Sequence, residues 1–360
     1  MSTPKILLTG ATGYIGGSIL AQLIKSDHPA LRTITCIVRG QDRISKLKEV
    51  YGDRVKAELY EGLDDFERTI DVASQHDIVI NTTLGFHEKS PIALIDGLAK
   101  RKQATGKDVF LIHTSGTSNL ADRPITGDYI EDRIFDDAKD DVYGYEKDAD
   151  AKEPYPQRTT ELGVVDAGLK EGVKTLVVMS PTIFGVGSGE WNKSSIQVPS
   201  YVKVALSEGQ SAVAGEGKGE WDHVHISDLA LLYEVVLCRI LDNGGDGVPF
   251  GKKGIIFSGN GRHTWGEVAQ GVANAAYEAG KIKTRELKSV GLEEGAEIFV
   301  KGWGLGAEDG KQLMEQGFSS NSRTESTIAR KLGWRPVKGA EAWKEGFAEE
   351  VRLATEKGSS

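Results

Sequence analysis

A glycine-rich loop near the N-terminus constrains the fold of this chain more than any other feature. An apolar run at residues 6–8 leads into the loop, and an amphipathic stretch follows at residues 18–24. Between them, Gly10, Gly13 and Gly16 are spaced three apart. A strand, a glycine-rich turn and a helix in this order open a dinucleotide-binding βαβ unit, because glycines permit the tight turn and the close approach to a pyrophosphate. The loop therefore predicts a nucleotide-binding site.

Apolar runs of strand length recur along the first half of the chain, separated by helical or loop segments. Near-continuous apolar strands that alternate with helices are typical of a parallel sheet covered on both faces. We therefore predict an α/β fold with a doubly wound parallel Rossmann sheet. The segment 119–153 is rich in Asp and Lys and is interpreted as a long surface excursion. The predicted strands are residues 5–9, 33–38, 56–60, 77–81, 109–113, 175–179 and 254–258.

The regular pattern is interrupted after residue 186 and returns near residue 223, where a long apolar helix is about to begin. The chain is thus predicted to leave the sheet and to re-enter it. We expect a Rossmann domain formed by residues 1–186 plus about 223–259, and a tail at residues 351–360. A smaller C-terminal substrate-binding domain is expected from about 187–222 plus 260–350.

The overall composition excludes several classes of partner. The 360 residues carry a formal net charge of −9 without a cationic stripe, so no nucleic-acid partner is expected. No apolar run reaches the length of a membrane span, and no secretory signal is visible. Cys36 and Cys238 have no second ligand at metal-binding spacing, so neither a disulfide nor a metal site is expected. We expect a cytoplasmic monomer or homodimer that acts on a small molecule.

Further short motifs follow the glycine loop along the chain: His113-Thr114-Ser115-Gly116-Thr117, residues 177–185, residues 224–230, and Leu332-Gly333-Trp334-Arg335-Pro336. In this order they resemble the extended and atypical branch of the short-chain dehydrogenase/reductase superfamily. That branch includes nucleotide-sugar epimerases, dehydratases and dihydroflavonol-type reductases. The resemblance covers most of the chain and implies an NAD(P)-binding enzyme of the oxidoreductase or epimerase/dehydratase type.

The resemblance also implies positions for the cofactor. The chain at residues 181–184 would pass beside the nicotinamide, residues 81–83 would border the ribose and pyrophosphate, and Leu63 would lie near the adenine. The expected cofactor contacts are Gly10, Thr12, Gly13, Tyr14, Ile15, Arg39, Leu63, Asn81, Thr82, Thr83, Pro181, Thr182, Ile183 and Phe184.

The end of the second predicted strand bears on the choice between NADP and NAD. An acidic residue there accepts the ribose 2′-hydroxyl of NAD, whereas this strand ends at Arg39, with Arg43 and Lys46 close behind. A guanidinium pairs well with a 2′-phosphate, so NADP is favoured over NAD. Two alternatives remain: Arg39 stacks on the adenine, or Asp42 turns inward to a 2′-hydroxyl.

The catalytic pattern of the superfamily is where this sequence departs from its relatives. The chemistry normally depends on Tyr-x-x-x-Lys, in which the lysine lowers the tyrosine pKa so that the phenol exchanges a proton with substrate. Residues 143–147, Tyr-Gly-Tyr-Glu-Lys, have this spacing, but we interpret the match as a decoy. The family distances to Glu161 and Pro181 place the expected pair at Glu153 and Gln157 instead.

Tyr155 is the tyrosine nearest to the expected position. It lies between two prolines, which belong at a helix start, so it is expected to enter the site from a loop. The lysine position is taken by Gln157, Arg158 or Thr159, depending on register. Arg158 can provide positive charge but cannot act as a neutral proton relay.

Two further residues are catalytic candidates. Ser115 occupies the serine position of the superfamily, with Thr114 or Thr117 as the alternative hydroxyl. His87 follows the fourth predicted strand, at the sheet edge where ligands bind in open α/β folds, and is a candidate proton donor. A histidine on a surface loop is the alternative interpretation.

Aromatic residues of the smaller domain favour an apolar or aromatic substrate, with core packing as the alternative for part of the set. His225 is expected to be packed and hydrogen-bonded in the core, whereas His223 is expected to face substrate. Tyr201 and Trp303 belong to the same aromatic set. The residues expected to contact substrate are Phe86, Thr117, Trp191, Trp221 and His223.

These features together predict an NADP-dependent oxidoreductase that reduces a carbonyl, or a related C=N or C=C group, of a small metabolite. Ser115 would bind the substrate oxygen, and Tyr155 or His87 would donate the proton. One alternative is an epimerase or dehydratase that retains its cofactor. The other is a non-catalytic NAD(P)-binding sensor or scaffold, which the missing Tyr-x-x-x-Lys favours.

Overall fold

The computed structural model describes residues 3–300 and 306–357. Its strands are β1 (Ile6–Thr9), β2 (Ile34–Val38), β3 (Val55–Leu59), β4 (Ile78–Asn81), β5 (Phe110–Gly116), β6 (Ile134–Asp136), β7 (Lys174–Ser180), β8 (Thr182–Phe184), β9 (Ala212–Ala214), β10 (Glu220–His225), β11 (Ile255–Phe257), β12 (Arg262–Thr264), β13 (Lys288–Val290) and β14 (Arg323–Glu325). Its helices are α1 (Tyr14–Lys25), α2 (Gln41–Tyr51), α3 (Phe66–Ala73), α4 (Lys89–Thr105), α5 (Val142–Lys152), α6 (Pro156–Glu171), α7 (Gln197–Glu208), α8 (Ile226–Asn243), α9 (Trp265–Glu278), α10 (Leu292–Phe299), α11 (Ala307–Phe318), α12 (Thr327–Lys331) and α13 (Ala340–Lys357).

A seven-stranded parallel sheet organises the larger part of the protein. Its strand order is β11-β7-β5-β4-β1-β2-β3, so the chain moves outward from β1 in one direction and then crosses to continue in the other. All seven strands predicted from sequence are present, with ends that differ by at most three residues from β1, β2, β3, β4, β5, β7 and β11. The predicted doubly wound α/β fold is confirmed.

Side chains that alternate along β1 show how both faces of the sheet are covered. Ile6 and Leu8 pack into the core shared with α1 and α8, whereas Leu7 packs into the opposite core with α3 and α4. Successive side chains of a strand point to opposite faces, so a central strand covered on both faces must be apolar throughout. The carboxyl ends of these strands are left free to form a ligand-binding edge.

A second hydrophobic core lies beside the sheet. It is formed by α7, α9, α10, α11 and α13 and contains Tyr201, Trp265, Phe318 and Trp343. Tyr201 is therefore a core residue, with its ring stacked on that of Trp265 at a centroid distance of 6.2 Å. Trp303 lies outside the described residues.

Two expectations about the chain's course differ from the structure. Val351 is buried within the second core, so residues 351–357 continue α13 rather than forming a tail. Trp334 packs instead into the sheet-side core, and its indole nitrogen donates to the Asp228 carbonyl (2.7 Å), so the stretch around it belongs with the sheet.

The expected surface excursion at residues 119–153 is also partly ordered into the fold. Helix α5 packs on α6 and buries Val142, Tyr143 and Glu146. Strand β6 pairs with β14 from near the C-terminus. The outer face of α5 is exposed and carries most of the charged residues of this helix. Composition alone therefore does not reveal that the other face of the helix is buried. No helix in the described part of the chain is both long and apolar enough to cross a membrane.

Candidate functional site

The glycine loop connects β1 to α1 in a conformation that depends on two of its glycines. Gly10 has a φ of +79°, a region that favours glycine. A Cβ at Gly16 would lie 2.2 Å from the Gly10 carbonyl oxygen and 2.3 Å from Thr82 Oγ1, so Gly16 permits close packing of helix on loop. Gly13 is different, because a Cβ there would meet only the Gly10 oxygen, at 3.2 Å. Its backbone instead lines a cavity.

The start of α1 is suited to an anion. Gly13 is the residue before the helix, no side chain caps the helix start, and its first turn contains no acidic residue. The first backbone N–H groups of a helix have no partner within it and carry partial positive charge. These groups open toward the cavity, so the loop fits the pyrophosphate of a dinucleotide.

The cavity has a volume of about 370 Å³ and lies at the carboxyl ends of β1, β4, β5 and β7. One wall comes from the sheet side, and the other comes from α7, β10 and α11 of the second core. The residues predicted from sequence that line it are Gly13, Tyr14, Ile15, Thr82, Thr83, Phe86, Ser115, Thr117, Tyr155, Pro181, Ile183 and Trp221.

The remaining predicted residues do not line this cavity, and alternation along β8 explains two of them. Pro181 and Ile183 face the cavity, so Thr182 and Phe184 point to the opposite side. Phe184 is 1% exposed, and its ring packs edge-on against Trp343 at 4.9 Å. The predicted residues outside the cavity wall are Gly10, Thr12, Arg39, Leu63, Asn81, His87, Thr182, Phe184, Trp191 and His223.

Asn81 is held by protein contacts at the end of β4. Its Oδ1 accepts from Thr9 Oγ1 and Thr83 Oγ1, each at 2.7 Å, and its Nδ2 lies 3.0 Å from His113 Nδ1. Burial lowers the pKa of His113 to about 4, so this ring is neutral. Asn81 therefore ties three neighbouring segments together behind the glycine loop and does not reach the cavity.

His87 lies outside the cavity, at the start of α4. Its Nε2 lies 3.1 Å from Asp64 Oδ1, and its Nδ1 accepts from the Ser90 backbone N–H at 3.3 Å. These contacts agree with the alternative interpretation of a surface loop histidine. The geometry does not bring His87 together with Ser115 or Tyr155.

His223 is also turned away from the cavity. Its ring stacks on Trp343 with centroids 4.1 Å apart, and its Nδ1 lies 3.2 Å from His263 Nδ1. Burial lowers the pKa of His223 to about 4, which leaves the ring uncharged in this aromatic environment. The expectation that His223 faces substrate is wrong for this geometry.

Trp191 and His225 are two further residues singled out from the sequence. Trp191 is half-buried against the sheet-side core and does not reach the cavity. His225 accepts from the Ser227 backbone N–H at 3.1 Å and so caps α8. His225 is hydrogen-bonded as expected, although its side chain is only partly buried.

Ser115 and Tyr155 are brought together at the centre of the cavity wall. Ser115 Oγ accepts from Gln157 Nε2 at 3.4 Å, and the Tyr155 hydroxyl donates to Ser118 Oγ at 3.3 Å. Ser118 in turn donates to Gln157 Oε1 at 3.3 Å. The Ser115 and Tyr155 hydroxyls, which can bind a substrate oxygen, are thus linked through Ser118 and the Gln157 amide.

Tyr155 enters the cavity because of its place in the chain. It precedes α6 in extended backbone (φ −126°, ψ 118°), and Pro156 begins the helix. Its side chain is 5% exposed, and burial raises the pKa of the phenol, whereas Ser118 and Arg158 oppose that rise. The Arg158 guanidinium is directed to the carbonyls of Asn119 (3.0 Å) and Glu153 (2.6 Å), so it does not replace the missing lysine.

The Gln157 side chain occupies the space that a side chain at position 116 would fill. A Cβ at Gly116 would lie 2.5 Å from Gln157 Nε2, so the glycine and the glutamine fit each other. Of the three candidates for the family's lysine position, Gln157 is the one that lines the cavity, and its side chain is a neutral amide.

The formal Tyr-x-x-x-Lys lies elsewhere. The Tyr143 hydroxyl donates to Asp166 Oδ1 at 2.5 Å, and Lys147 Nζ donates to that hydroxyl at 3.2 Å. Both contacts lie between α5 and α6, and neither residue lines the cavity. This placement agrees with the interpretation of Tyr143 and Lys147 as a decoy.

Apart from Trp221, the wall on the side of the second core was not found from the sequence. Gln197 Nε2 donates to the Gly317 carbonyl at 2.7 Å and joins α7 to the end of α11. The residues of this wall carry no local motif, and for Ile196, Leu313 and Phe318 apolar character is the only signal. The cavity-lining residues that sequence reasoning missed include Ser118, Ile196, Gln197, Leu313 and Phe318.

The end of β2 is cationic. Arg39 is exposed and has no ion-pair partner among the residues the structure describes. Arg43 Nη1 donates to Thr12 Oγ1 at 3.4 Å and so reaches the glycine loop. Asp42 Oδ1 lies 2.4 Å from the position of a Cβ on Gly40, so this carboxylate folds back on its own turn.

The chain is similar to several known proteins. The family described as Male sterility protein matches residues 8–80. The oxidase ucsJ of an Acremonium species is 31% identical over 348 residues, which are 93% of this chain and 93% of that protein. A solved structure of a double mutant of dTDP-glucose 4,6-dehydratase from Streptomyces venezuelae has a TM-score of 0.65 at 14% identity, covering 98% of this chain and 97% of that one. UDP-glucose 4-epimerase from Thermotoga maritima has a TM-score of 0.60 at 16% identity, covering 98% and 99%.

The chain belongs to the extended short-chain dehydrogenase/reductase superfamily. It is thus a member of a superfamily of NAD(P)-binding enzymes that act as oxidoreductases, epimerases or dehydratases. The family predicted from the sequence is confirmed.

Proposed function

We propose that this protein is an NADP(H)-dependent oxidoreductase that reduces a carbonyl, or a related C=N or C=C group, of a small apolar or aromatic metabolite. The observation that carries the proposal is the pairing of Ser115 and Tyr155 in a cavity that begins at the uncapped start of α1. The Acremonium relative is an oxidase by name, which also favours a redox reaction.

The residues present fit a nicotinamide dinucleotide. The pyrophosphate would bind the backbone N–H groups that follow Gly13, and Pro181 and Ile183 would border the nicotinamide. When bound, the reduced cofactor supplies the hydride. Thr12 and Arg39, which do not line the cavity, would contact the adenosine half of the cofactor.

The character of the cavity favours an apolar substrate. Its lining includes the apolar side chains of Phe86, Ile196, Leu313 and Phe318. Trp221 also lines it, with its indole nitrogen donating to Ser320 Oγ at 3.0 Å. Such a surface binds aromatic or aliphatic groups through area removed from water. We propose that the second core supplies this wall as the substrate-binding unit.

The two hydroxyls account for the handling of the substrate oxygen. As the oxygen gains negative charge, hydrogen bonds from Ser115 and Tyr155 strengthen, and this selective stabilisation lowers the barrier. Both side chains are nearly buried, so water competes little for these bonds. One of the hydroxyls must also deliver a proton.

The direct test is NADPH oxidation by the purified protein with a panel of aromatic and aliphatic carbonyl compounds. The proposal expects stoichiometric release of NADP⁺ with formation of an alcohol. Product formation without net cofactor turnover indicates an epimerase or dehydratase. Tight cofactor binding with no product from any substrate indicates a sensor or scaffold, and either result contradicts the proposal.

Cofactor choice gives a separate prediction. Because Arg39 is unpaired at the end of β2, NADPH is expected to bind at least about tenfold more tightly than NADH, or about 1.4 kcal/mol. Arg39→Ala should remove most of that preference by weakening NADPH binding alone. Calorimetric titration of both cofactors measures it.

Arg32→Ala is the control for that titration. Arg32 is an exposed arginine just before β2, at the opposite edge of the sheet from Arg39. Its loss should leave both affinities unchanged. Equal affinities in the unsubstituted protein, or a preference for NADH, contradict the role given to Arg39.

A further inference from the structure

Two carboxyl groups are buried directly behind Ser115. Glu146 of α5 and Glu161 of α6 are each 0% exposed, although acidic side chains are rarely buried without a paired cation. The mechanism proposed above uses neither of them. They lie behind the Ser115 hydroxyl, where a proton held by the acids would be close to the substrate oxygen.

One amide connects the acids to the cavity wall. Asn119 Nδ2 donates to Glu161 Oε2 at 2.8 Å and to Ser115 Oγ at 3.3 Å. Among the described residues, both carboxyl oxygens of Glu146 and the Oε1 of Glu161 have no other donor within hydrogen-bond distance. Buried carboxyl oxygens without donors are costly unless a proton lies between the two groups.

Electrostatics favours a shared proton. Burial raises the pKa of both carboxyl groups, and the charge of Glu161 raises that of Glu146 further. Hydrogen bonds from Ser115, Glu146 and Asn119 oppose the rise at Glu161, so Ser115 contacts that carboxyl directly. Asn119 and Arg158 oppose the rise at Glu146. Arg158 gives its hydrogen bonds to Asn119, Glu153 and Asp150, so its charge is not committed to the pair. Two adjacent buried carboxyls cannot both ionise readily.

We propose that Glu146 and Glu161 hold one proton between them at neutral pH and that this proton reaches the substrate oxygen through Ser115. Glu146 is the donor and Glu161 the acceptor within the pair. The two acids are positioning residues, since they act through Ser115 and do not touch substrate. This inference rests on the proposed reductase function.

The transfer is balanced. With a bound reduced cofactor, which would supply the hydride, the substrate C=O π electrons would move to oxygen. The Ser115 O–H bond breaks, and its proton joins the substrate oxygen to complete the alcohol. Ser115 Oγ then takes the proton of the carboxyl pair, and because two adjacent buried carboxylates repel each other, the ionised pair takes up a proton again as soon as water reaches it. A proton from water restores the pair after the product leaves the cavity.

This route explains how the site acts without a lysine beside the tyrosine. The Tyr155 phenol, with its raised pKa, binds the substrate oxygen but is costly to ionise. Gln157 hydrogen-bonds Ser115 and Ser118 but, as an amide, has no proton to release near neutral pH. The buried acids are the only groups behind Ser115, within the described residues, that can release a proton in the neutral range.

The first test measures the proton without cofactor or substrate. A native state that binds more protons than the unfolded chain loses stability as pH rises, so the pair should destabilise the protein above the usual glutamate pKa of about 4.3. We expect the urea midpoint to fall from pH 5.5 to pH 8, and to fall less in Glu146→Gln. Glu161→Gln provides the same comparison if Glu146→Gln does not fold.

The second test follows turnover against pH. With the pair as the proton source, kcat should fall as the pair ionises with rising pH. Glu146→Gln should remove that limb and lower kcat at pH 6 by about 100-fold, because general acid catalysis contributes roughly that much. KM should change little, since Glu146 does not line the cavity.

Asp137→Asn is the matched control. Asp137 is buried, and burial raises its pKa to about 6, but its carboxylate accepts from the backbone N–H groups of Phe257 and Ile328, away from Ser115. Its loss should lessen the pH dependence of stability, as in Glu146→Gln, and leave the pH profile of turnover unchanged.

The outcomes separate the two proposals. If Glu146→Gln leaves the pH dependence of unfolding unchanged, the shared proton does not exist. If unfolding responds but the turnover profile does not, the delivery through Ser115 is wrong and the reductase function stands. If the unsubstituted protein transfers no hydride, the proposed function and the delivery step both fail, whereas unfolding still decides whether the pair holds a proton.

Discussion

Gly13→Val is expected to abolish cofactor binding in a protein that remains folded. The backbone of Gly13 is extended (φ −83°, ψ 172°), which a β-branched residue adopts without strain, and a Cβ there meets only one atom, at 3.2 Å. The valine methyl groups would instead occupy the position of the pyrophosphate. We expect at least a 100-fold loss of affinity, or about 2.7 kcal/mol, measured by calorimetry with NADPH.

Gly291→Val is a closely matched control. Gly291 precedes α10 in the same extended conformation (φ −78°, ψ 177°), and a Cβ there meets nothing within 4 Å. Both variants place a valine before a helix, but only one does so at the cavity. Circular dichroism and thermal unfolding should show both to be folded. NADPH binding of ordinary strength by folded Gly13→Val would show that the loop does not hold a phosphate.

The fold was predictable from the sequence because its information is local. The central strands contain apolar runs, and β1 is buried on both faces. Short stretches of four to seven residues are therefore enough to identify the strands of the parallel sheet. The turn at Gly10 has its own signature, since a positive φ selects glycine. Helix α5 was missed because only one of its faces is buried, and the charged residues of the exposed face dominate its sequence.

Apart from Trp221, the candidate site was predictable only on the sheet side. Ser115 and Tyr155 stand beside strand ends and helix starts, which local patterns identify. Leu313 and Phe318 reach the cavity from α11, far along the chain, and their approach depends on how the second core packs. Long-range packing of this kind leaves no short motif.

Errors within the predicted site have the same origin. A motif identifies a stretch of chain, but the side-chain direction within it follows strand alternation, so Ile183 faces the cavity and Phe184 does not. His223 was chosen for its chemistry, yet its stacking on Trp343 depends on α13, more than one hundred residues later. The direction of a side chain, and partners that lie far away in the sequence, decide which polar groups remain free to bind a ligand.

Tyr155→Phe is expected to lower kcat by about 100-fold or more while cofactor affinity is retained. The phenol faces the cavity and would donate to the developing charge on the substrate oxygen, and removing one such donor costs roughly 10²–10³ in rate. Because burial raises the pKa of Tyr155, the loss should be similar throughout the neutral range. Steady-state kinetics between pH 6 and pH 9 measure it, with a calorimetric titration of NADPH alongside.

Tyr143→Phe removes the same atom from an equally buried tyrosine, 4% exposed against 5% for Tyr155. Tyr155→Phe loses a hydrogen bond to neutral Ser118, worth about 1 kcal/mol, and Tyr143→Phe loses one to the Asp166 carboxylate, worth about 1.5–3 kcal/mol. Loss of stability therefore affects Tyr143→Phe more and cannot explain a fall in kcat that is confined to Tyr155→Phe. Tyr143→Phe should be nearly silent, since its hydroxyl donates to Asp166 between α5 and α6. If it abolishes turnover while Tyr155→Phe does not, Tyr143 and Lys147 are the working pair despite their distance from the cavity wall. If neither variant matters, the phenols have no part in the reaction, and the substrate oxygen depends on Ser115 alone.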